Sequence, residues 1–514
     1  MTVQVGEALA LSDGVAVAEG APVAFPPAAL ERVRAARAVV DRAGESGAII
    51  YGVTTGFGSL ADVRVDPTQA AELQHGIVLS HATAVGRPLS REEARAMLLL
   101  RAHVLALGHS GVRPEVIDLM VEMLNQDIVP AVPEQGSLGA SGDLAPLANL
   151  ALPLIGHGSV LTPEGGTEPA GPVMARAGLR PLRLVAKEGL ALVNGTQGML
   201  AIGILAAARL ARLARTADVV AAMTIEASLG TDVPFDERLQ RLRPHAGQAS
   251  SASNLRRLLA NSPIRESHRE SAHVVQDAYS LRCAPQVHGA TRDVLAYVEG
   301  VLTIEAGSVS DNPIVLRGTG PQDPGEVRSG GNFHGMPVAL ALDSLAIAAV
   351  PLASISERRL YRLLDAHTSN GLPPFLVHGS GLNSGFMLTQ YTAASLVSEC
   401  KSLAHPASVD SIPSSAGQED HVSMGMTAAR HAREIVTNAE IVVALEALAA
   451  TQALDLRAPL QPGPLTGAAH DAMRAVVPFF ELDREFGPDI ADAVALVRQG
   501  SLVEAVESVG GPLA

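Results

Sequence analysis

Three stretches limit what this chain can become: QGMLAIGILAAARLARLARTADVVAAMTIEASLG from Gln197, LALDSLAIAAVPLASISERRLYRLLD from Leu340, and TAARHAREIVTNAEIVVALEALAATQAL from Thr427. Each is rich in alanine and leucine, which lose least on entering a helix. Long helices with alanine faces form closely packed bundles and often lie at the centre of oligomers. Aromatic residues are only 3% of the chain and tryptophan is absent, so the core must be built from alanine, leucine and valine. The expected fold class is therefore mainly α.

Charge and cysteine usage exclude several functions. The formal net charge is −15 with no basic stripe, which argues against nucleic acid and anionic membrane surfaces as partners. Cys283 and Cys400 lie far apart, so a reducing cytoplasm is expected rather than a disulfide framework. The N-terminal MTVQVGEALALSDGVAVAEG has no basic segment ahead of its apolar residues, unlike a signal peptide. The apolar run LAIAAVPLASI is broken by Pro351 and falls short of the roughly 20 residues that span a bilayer.

At 514 residues the chain has room for two or three domains. VQVGEALALSDGVAVAEG suggests short strands joined by DG and EG turns. PAALERVRAARAVVDRAG and SREEARAMLLLRAHVLALGHSG read as helices, the second with Ser90 as N-cap and acids in its first turn. GHGSVLTPEGGTEPAGP reads as a surface excursion. A boundary near residue 195 is expected between a mixed N-terminal domain, 1–195, and a helical remainder, 196–514.

Between the helices lie polar islands such as YGVTTGFGSL, GASGDLAPL, LVNGTQG, SDNPIV and SSAGQEDHVSM, which hold most of the Asn, Gln, Tyr and His a site would need. One of them places Ala140, Ser141 and Gly142 in a row. As a plain turn it would start the next helix, with Asp143 as N-cap. Held under strain, it permits chemistry. The Gly142 nitrogen attacks the Ala140 carbonyl, a five-membered ring closes with loss of water, and loss of a second water from Ser141 leaves an exocyclic methylene. Gly142 offers an unhindered nitrogen, Ala140 avoids crowding, and Ser141 supplies the hydroxyl that is eliminated.

From about residue 50 to 425, YGVTTGFG, LSHA, GSLGASGDLAPLANL, LVNGTQ, QDAYSLRCAPQV, DNP, GNFH, LNSGFM and QEDHVSM resemble, in order, the motifs of the aromatic amino acid ammonia-lyases. The histidine ammonia-lyases are the most similar branch. The resemblance implies a methylidene-imidazolone (MIO) group made by the chain from Ala140, Ser141 and Gly142, with no external cofactor. It implies a fold of the fumarase/aspartase-like superfamily, with a central bundle of long helices and an N-terminal domain carrying the MIO loop. It also implies a homotetramer with sites shared between chains. The reaction implied is non-oxidative elimination of ammonia from L-histidine to give trans-urocanate.

The same resemblance assigns residues. Tyr51 matches the base that takes the β-proton, which requires a phenol kept partly deprotonated by its surroundings. Gly52, Gly56 and Gly58 beside it suggest a loop that closes over substrate. Arg282 matches the grip on the substrate carboxylate, for which a guanidinium fork is suited. Tyr279 matches a tyrosine close to the prosthetic group. Gln276 and Asn194 match residues that orient the ring carbonyl or the substrate, and Phe333 an aromatic residue near the ring. Tyr279 and Phe333 are expected from a different chain than Ala140, Ser141 and Gly142. Ser80 and His81 match the pair of histidine lyases, where phenylalanine lyases carry Phe-Leu. Glu419 matches the histidine-lyase glutamate, able to accept a hydrogen bond from an imidazole.

Some positions depart from the histidine branch: Thr54, Asn149, the pair Gly335 and Met336 where Ala-Glu is usual, and Gly417 where Asn is usual. The alternative reading is an MIO-dependent lyase or 2,3-aminomutase acting on another aromatic amino acid. A catalytically silent relative would be marked by loss of Ser141, Tyr51 or Arg282, and a fumarase/aspartase-type lyase by a GSSxMPxKxN loop; neither mark is present. HExxH, GxGxxG after a strand and GxxxxGK[ST] are all missing, so neither a metal nor a nucleotide cofactor is expected.

Overall fold

The computed structural model describes residues 2–45, 51, 55–56, 65–66, 69–271, 273–318, 320, 323–379 and 381–514. The described part is mostly helix, with four two-stranded sheets of very short strands. It divides into two units. The first holds Met1–Leu205, Glu299–Asp343 and Pro406–Arg430, and the second holds Ala206–Val298, Ser344–His405 and His431–Ala514. The sequence suggested one boundary near residue 195, whereas here two later segments also belong to the first unit. Those segments carry SDNPIV, GGNFHGMP and QEDHVSM, and their polar groups bond to the Asn194 turn and the Gly136–Asp143 loop. Asn194 Nδ2 donates to Asn312 O at 3.0 Å, and Met424 N donates to Leu138 O at 2.8 Å.

The axis of the first unit is the helix Arg91–Ala106, buried throughout from Glu93 to Ala106. Its start is set by a capping box: Ser90 Oγ accepts from Glu93 N at 3.2 Å, and Ser90 N donates to Glu93 Oε2 at 2.9 Å. The helices Leu11–Ala18, Pro27–Glu45 and Pro114–Asn125 pack around it. The first of these corrects the strand expectation. LSDGVAVA is helical because Ala10 N donates to Asp13 Oδ2 at 2.8 Å and Gly14, Val17 and Ala18 turn inward. Only Val3–Gln4 and Val23–Ala24 remain as strands, paired in parallel. GHGSVLTPEGGTEPAGP forms the antiparallel pair Ser159–Leu161 and Thr167–Pro169, followed by the helix Ala170–Arg176.

The second unit is a helical bundle with alanine at many buried positions, among them Ala349, Ala353, Ala439, Ala444 and Ala447. A chain of polar side chains runs through it: Arg359 Nε donates to Glu446 Oε1 at 2.6 Å, Arg359 Nη1 lies 3.3 Å from His288 Nε2, and His288 Nδ1 lies 2.8 Å from Asp218 Oδ1. All four side chains are fully buried, and hydrogen bonding on every side offsets the cost of removing them from water. Pro351 does not break its run, contrary to expectation; the helix Met336–Leu364 passes through it. That helix and Gln197–Ala227 are long and apolar enough to cross a bilayer, yet 67% and 72% of their most apolar windows are buried within the protein, as in core helices.

Candidate active site

The loop Gly136–Asp143 lies between the strand Pro133–Gln135 and the helix Leu144–Ala151. Ser137 Oγ ties it internally, donating to Gly142 O and Asp143 Oδ1 at 3.3 and 2.9 Å and accepting from Gly139 N at 3.1 Å. Ser423 Oγ donates to Gly139 O at 3.2 Å, and Ala140 is buried against Val422 and Met424. Asp143 N donates to Gly195 O at 2.7 Å. Gly142 has φ +75°, and a Cβ there would lie 2.0 Å from Gly195 O. Only glycine fits that position.

Asp143 occupies the N-cap position of the helix Leu144–Ala151, as in the plain-turn reading, but makes no side-chain cap there. Its Oδ2 instead accepts from Met199 N at 2.8 Å, at the start of the helix Gln197–Ala227. Burial pushes this carboxyl up to about 6, while the bonds from Met199, Ser137 and Gly198 pull it down.

The loop forms part of the wall of a cavity of about 920 Å³. Ala140 and Ser141 line it, with Tyr51, Ser80, His81, Asn194, Phe333 and Glu419. Ser141 Oγ donates to Glu419 Oε1 at 3.1 Å, and Ser414 Oγ donates to Glu419 Oε2 at 2.5 Å. The turn presenting Glu419 is tight: Ser415, Ala416 and Gly417 have φ of 50°, 52° and 87°. Glycine at 417 suits that left-handed backbone, where asparagine is the next most tolerant residue. Ser80 Oγ lies 3.1 Å from His81 Nδ1. Burial lowers the His81 pKa, against the Ile77 carbonyl and the Glu419 charge, so the ring is neutral at pH 7. Asn194 is 2% exposed, and its Oδ1 has no partner among the described residues.

Eight of the expected site residues therefore share this cavity, and Gly142 anchors its loop. Phe333 lines the cavity beside Ala140 and Ser141 of the same chain, which corrects the expectation that it comes from another. Gln276, Tyr279 and Arg282 belong to the second unit and are not among the lining residues. Tyr279 is 71% exposed, with the Arg282 guanidinium 4.7 Å from its ring centre. Gly52, Thr54 and Gly58 lie outside the described residues. Met336 is not on the lining, and Gly335 leaves room for Met199, whose Cε would lie 2.6 Å from a Cβ at 335. Asn149 bonds back to Ala145 O at 2.9 Å within its helix. Among the described residues no cluster of three or more His, Cys, Asp or Glu side chains is arranged to hold a metal.

The residues present fit an MIO group. The loop is pinned on both sides, position 142 admits only glycine, Ser141 faces the cavity, and a buried acceptor at Asn194 without a partner among the described residues adjoins it.

A family model described as aromatic amino acid lyase matches residues 9–475. The chain belongs to the aromatic amino acid lyase family. A histidine ammonia-lyase of Sorangium cellulosum (strain So ce56) is 52% identical over 512 residues, covering 99% of each chain. The crystal structure of histidine ammonia-lyase from Trypanosoma cruzi superposes with a TM-score of 0.90 at 43% identity, over 99% of this chain and 96% of its own. A tyrosine aminomutase from Streptomyces globisporus superposes at 0.94 with 38% identity over 100% of both chains.

This lyase also lines its cavity with residues the sequence reading did not assign. Asn312, His334, Gln418, Asp420 and His421 are among them. His334 and His421 lie parallel with ring centres 5.9 Å apart, and His334 Nε2 lies 3.2 Å from His421 O. His334 follows Phe333, and Gln418, Asp420 and His421 adjoin Glu419, which was the available signal; Asn312 reaches Asn194 only through the fold.

Proposed function

We propose that this lyase removes ammonia from L-histidine and releases trans-urocanate. The observation that carries the reading is the cavity wall in which Ser141 bonds to Glu419 at 3.1 Å and which the Ser80–His81 pair also lines. Its similarity to proteins named histidine ammonia-lyase supports the same substrate.

The β-hydrogen of histidine is weakly acidic and an amine is a poor leaving group. An MIO group formed from Ala140, Ser141 and Gly142 supplies an electrophilic methylene that makes the amine a better leaving group. Tyr51 accepts the β-proton. Glu419 accepts a hydrogen bond from the imidazole N–H, and His81, held by Ser80, meets the other face of this polar ring. Asn194 Oδ1 offers an acceptor to the substrate amino group, and Phe333 packs near the ring. Arg282 binds the carboxylate, with Gln276 and Tyr279, in a site of another chain of a homotetramer. That assignment is supported by the exposure of Tyr279 and by Arg282 Nε, which is buried without a partner among the described residues. Exposed Tyr297, Tyr361, Leu388 and Tyr391 on the second unit support self-association. Both cysteines are free, which suits a cytoplasmic enzyme.

The likeness to a tyrosine aminomutase favours one second reading, re-addition of the amine at the β-carbon of another aromatic amino acid. Incubation with L-histidine, L-tyrosine and L-phenylalanine, with products separated by chromatography, decides between them. Urocanate from histidine supports the lyase reading, and a β-amino acid from tyrosine or phenylalanine overturns it. Light scattering tests the assembly, where a fully active monomer would contradict shared sites.

A further inference from the structure

We infer that Arg101 is a positioning residue for ring closure, holding the Asn194–Gln197 turn against Gly142 so that the Ala140–Gly142 loop keeps its cyclising shape. The inference rests on the proposed ring-forming function.

Arg101 follows Leu98, Leu99 and Leu100 in the buried helix Arg91–Ala106 and is 0% exposed. A guanidinium placed there is costly unless its N–H groups are met. The carboxylate whose charge it feels, Asp311, is bound to Lys187 Nζ at 2.7 Å, so two buried cations share one buried acid. Burial pushes Arg101 down to about 10, and it stays charged at neutral pH.

What meets the guanidinium is the turn. Nη1 donates to Asn194 O at 2.9 Å and to Gln197 Oε1 at 2.7 Å, and Nη2 donates to Ala191 O. These acceptors span the end of the helix Glu188–Val193 and the start of the helix Gln197–Ala227. A Cβ on Gly195, whose φ is +157°, would lie 2.4 Å from Gln197 Oε1 and 2.5 Å from Arg101 Nη1, so a side chain there would push on both bonded groups. Gly195 O then accepts from Asp143 N at 2.7 Å, and Gly195 bridges Gly142 in parallel. One fixed turn therefore separates Arg101 from a ring-forming residue.

Ring closure forms the bond from Gly142 N to Ala140 C. It expels the Ala140 oxygen as water with the amide hydrogens of Gly142 and Ser141. The second water takes the Ser141 hydroxyl and its α-hydrogen. Small misplacements are costly in such a reaction, and displacing the turn is expected to slow it roughly tenfold to a hundredfold.

The test is intact mass of the full-length protein, freshly purified and over the following hours, read as the share of chains lacking two waters. Arg101→Lys keeps the charge but loses the planar fork, and Gln197→Leu removes one acceptor. Arg95→Lys is the control. It alters another buried arginine of the same helix, whose bonds go to Val17 O, Leu124 O and Asp127 Oδ1 at 2.8, 3.1 and 2.8 Å. The inference predicts slow or incomplete water loss in both test variants, with circular dichroism unchanged and maturation normal in Arg95→Lys. Normal maturation of both test variants overturns it, as does an equal delay in the control. If one test variant does not fold, the other decides. An unchanged protein that never loses two waters refutes the ring itself, a separate result.

Discussion

Asp143→Asn separates the charge of a buried carboxyl from its shape. Burial holds the folded carboxyl at about 6, against an ordinary value of 3.8, although Met199 N and Ser137 Oγ donate to it at 2.8 and 2.9 Å. A gap of roughly 2 units corresponds to about 3 kcal/mol per chain. The folded chain binds this proton more tightly than the unfolded one. The stabilising contribution is therefore complete below about pH 4 and is lost as the pH rises through about 6. Asparagine removes the desolvated charge, keeps an acceptor for Met199 N, and turns its amide toward Ser137 Oγ. A chain of this size unfolds with an entropy of about 1.1 kcal/mol/K, so Asp143→Asn should melt roughly 3 °C above the parent at pH 7.5. At pH 4 that advantage should vanish. Asp143→Ala also removes the charge but leaves Met199 N without its acceptor, so it should melt below Asp143→Asn at both values, by the equivalent of about 0.5–2 kcal/mol. Calorimetric melts of the three proteins from pH 4 to 8 check this. Parallel curves for the parent and Asp143→Asn would refute the reasoning.

Glu419→Gln, which removes the charge beside Ser141, should lower kcat/KM for histidine about ten- to a hundredfold without changing the share of chains that lose two waters; unchanged steady-state kinetics would contradict this. Lys187→Met leaves Asp311 buried without its 2.7 Å partner and should destabilise by about 3–5 kcal/mol, with part recovered in Lys187→Met/Asp311→Leu, as read by melting temperature. The His81 pKa, lowered below 6.5 by burial, keeps its ring neutral at pH 7, so a fall in kcat/KM due to its protonation should lie below pH 6.5 and disappear in His81→Gln. A His81-dependent fall above pH 6.5 would count against that role.

Much of this site was legible because short polar motifs interrupt apolar helices. Tyr51, Ser80, His81, Ser141, Asn194, Phe333 and Glu419 could each be read from a motif, and the fold brings them to one cavity. The Ser90 capping box was legible because it is local. What depended on distant chain was not. Asp143 reads as the cap of its own helix, but the start of the helix Gln197–Ala227 arrives 2.8 Å from its carboxylate and takes it. LSDGVAVA alternates like a strand and becomes a helix once Val17 and Ala18 have an apolar partner to pack on. Arg101 looks like an ordinary charge in an apolar helix until the Asn194 turn supplies its acceptors. The return of residues 299–343 and 406–430 to the first unit likewise follows from tertiary bonds that no local pattern encodes.

The central claim is that Ser141 becomes part of an electrophile that removes ammonia from histidine. The most direct measurement is urocanate absorbance after mixing purified protein with L-histidine, run beside Ser141→Ala, with intact mass recorded for both. The account predicts urocanate only from the unchanged protein, whose mass falls short of the sequence by two waters. Urocanate formation by Ser141→Ala at the parent rate, or neither urocanate nor lost water in the parent, would contradict it.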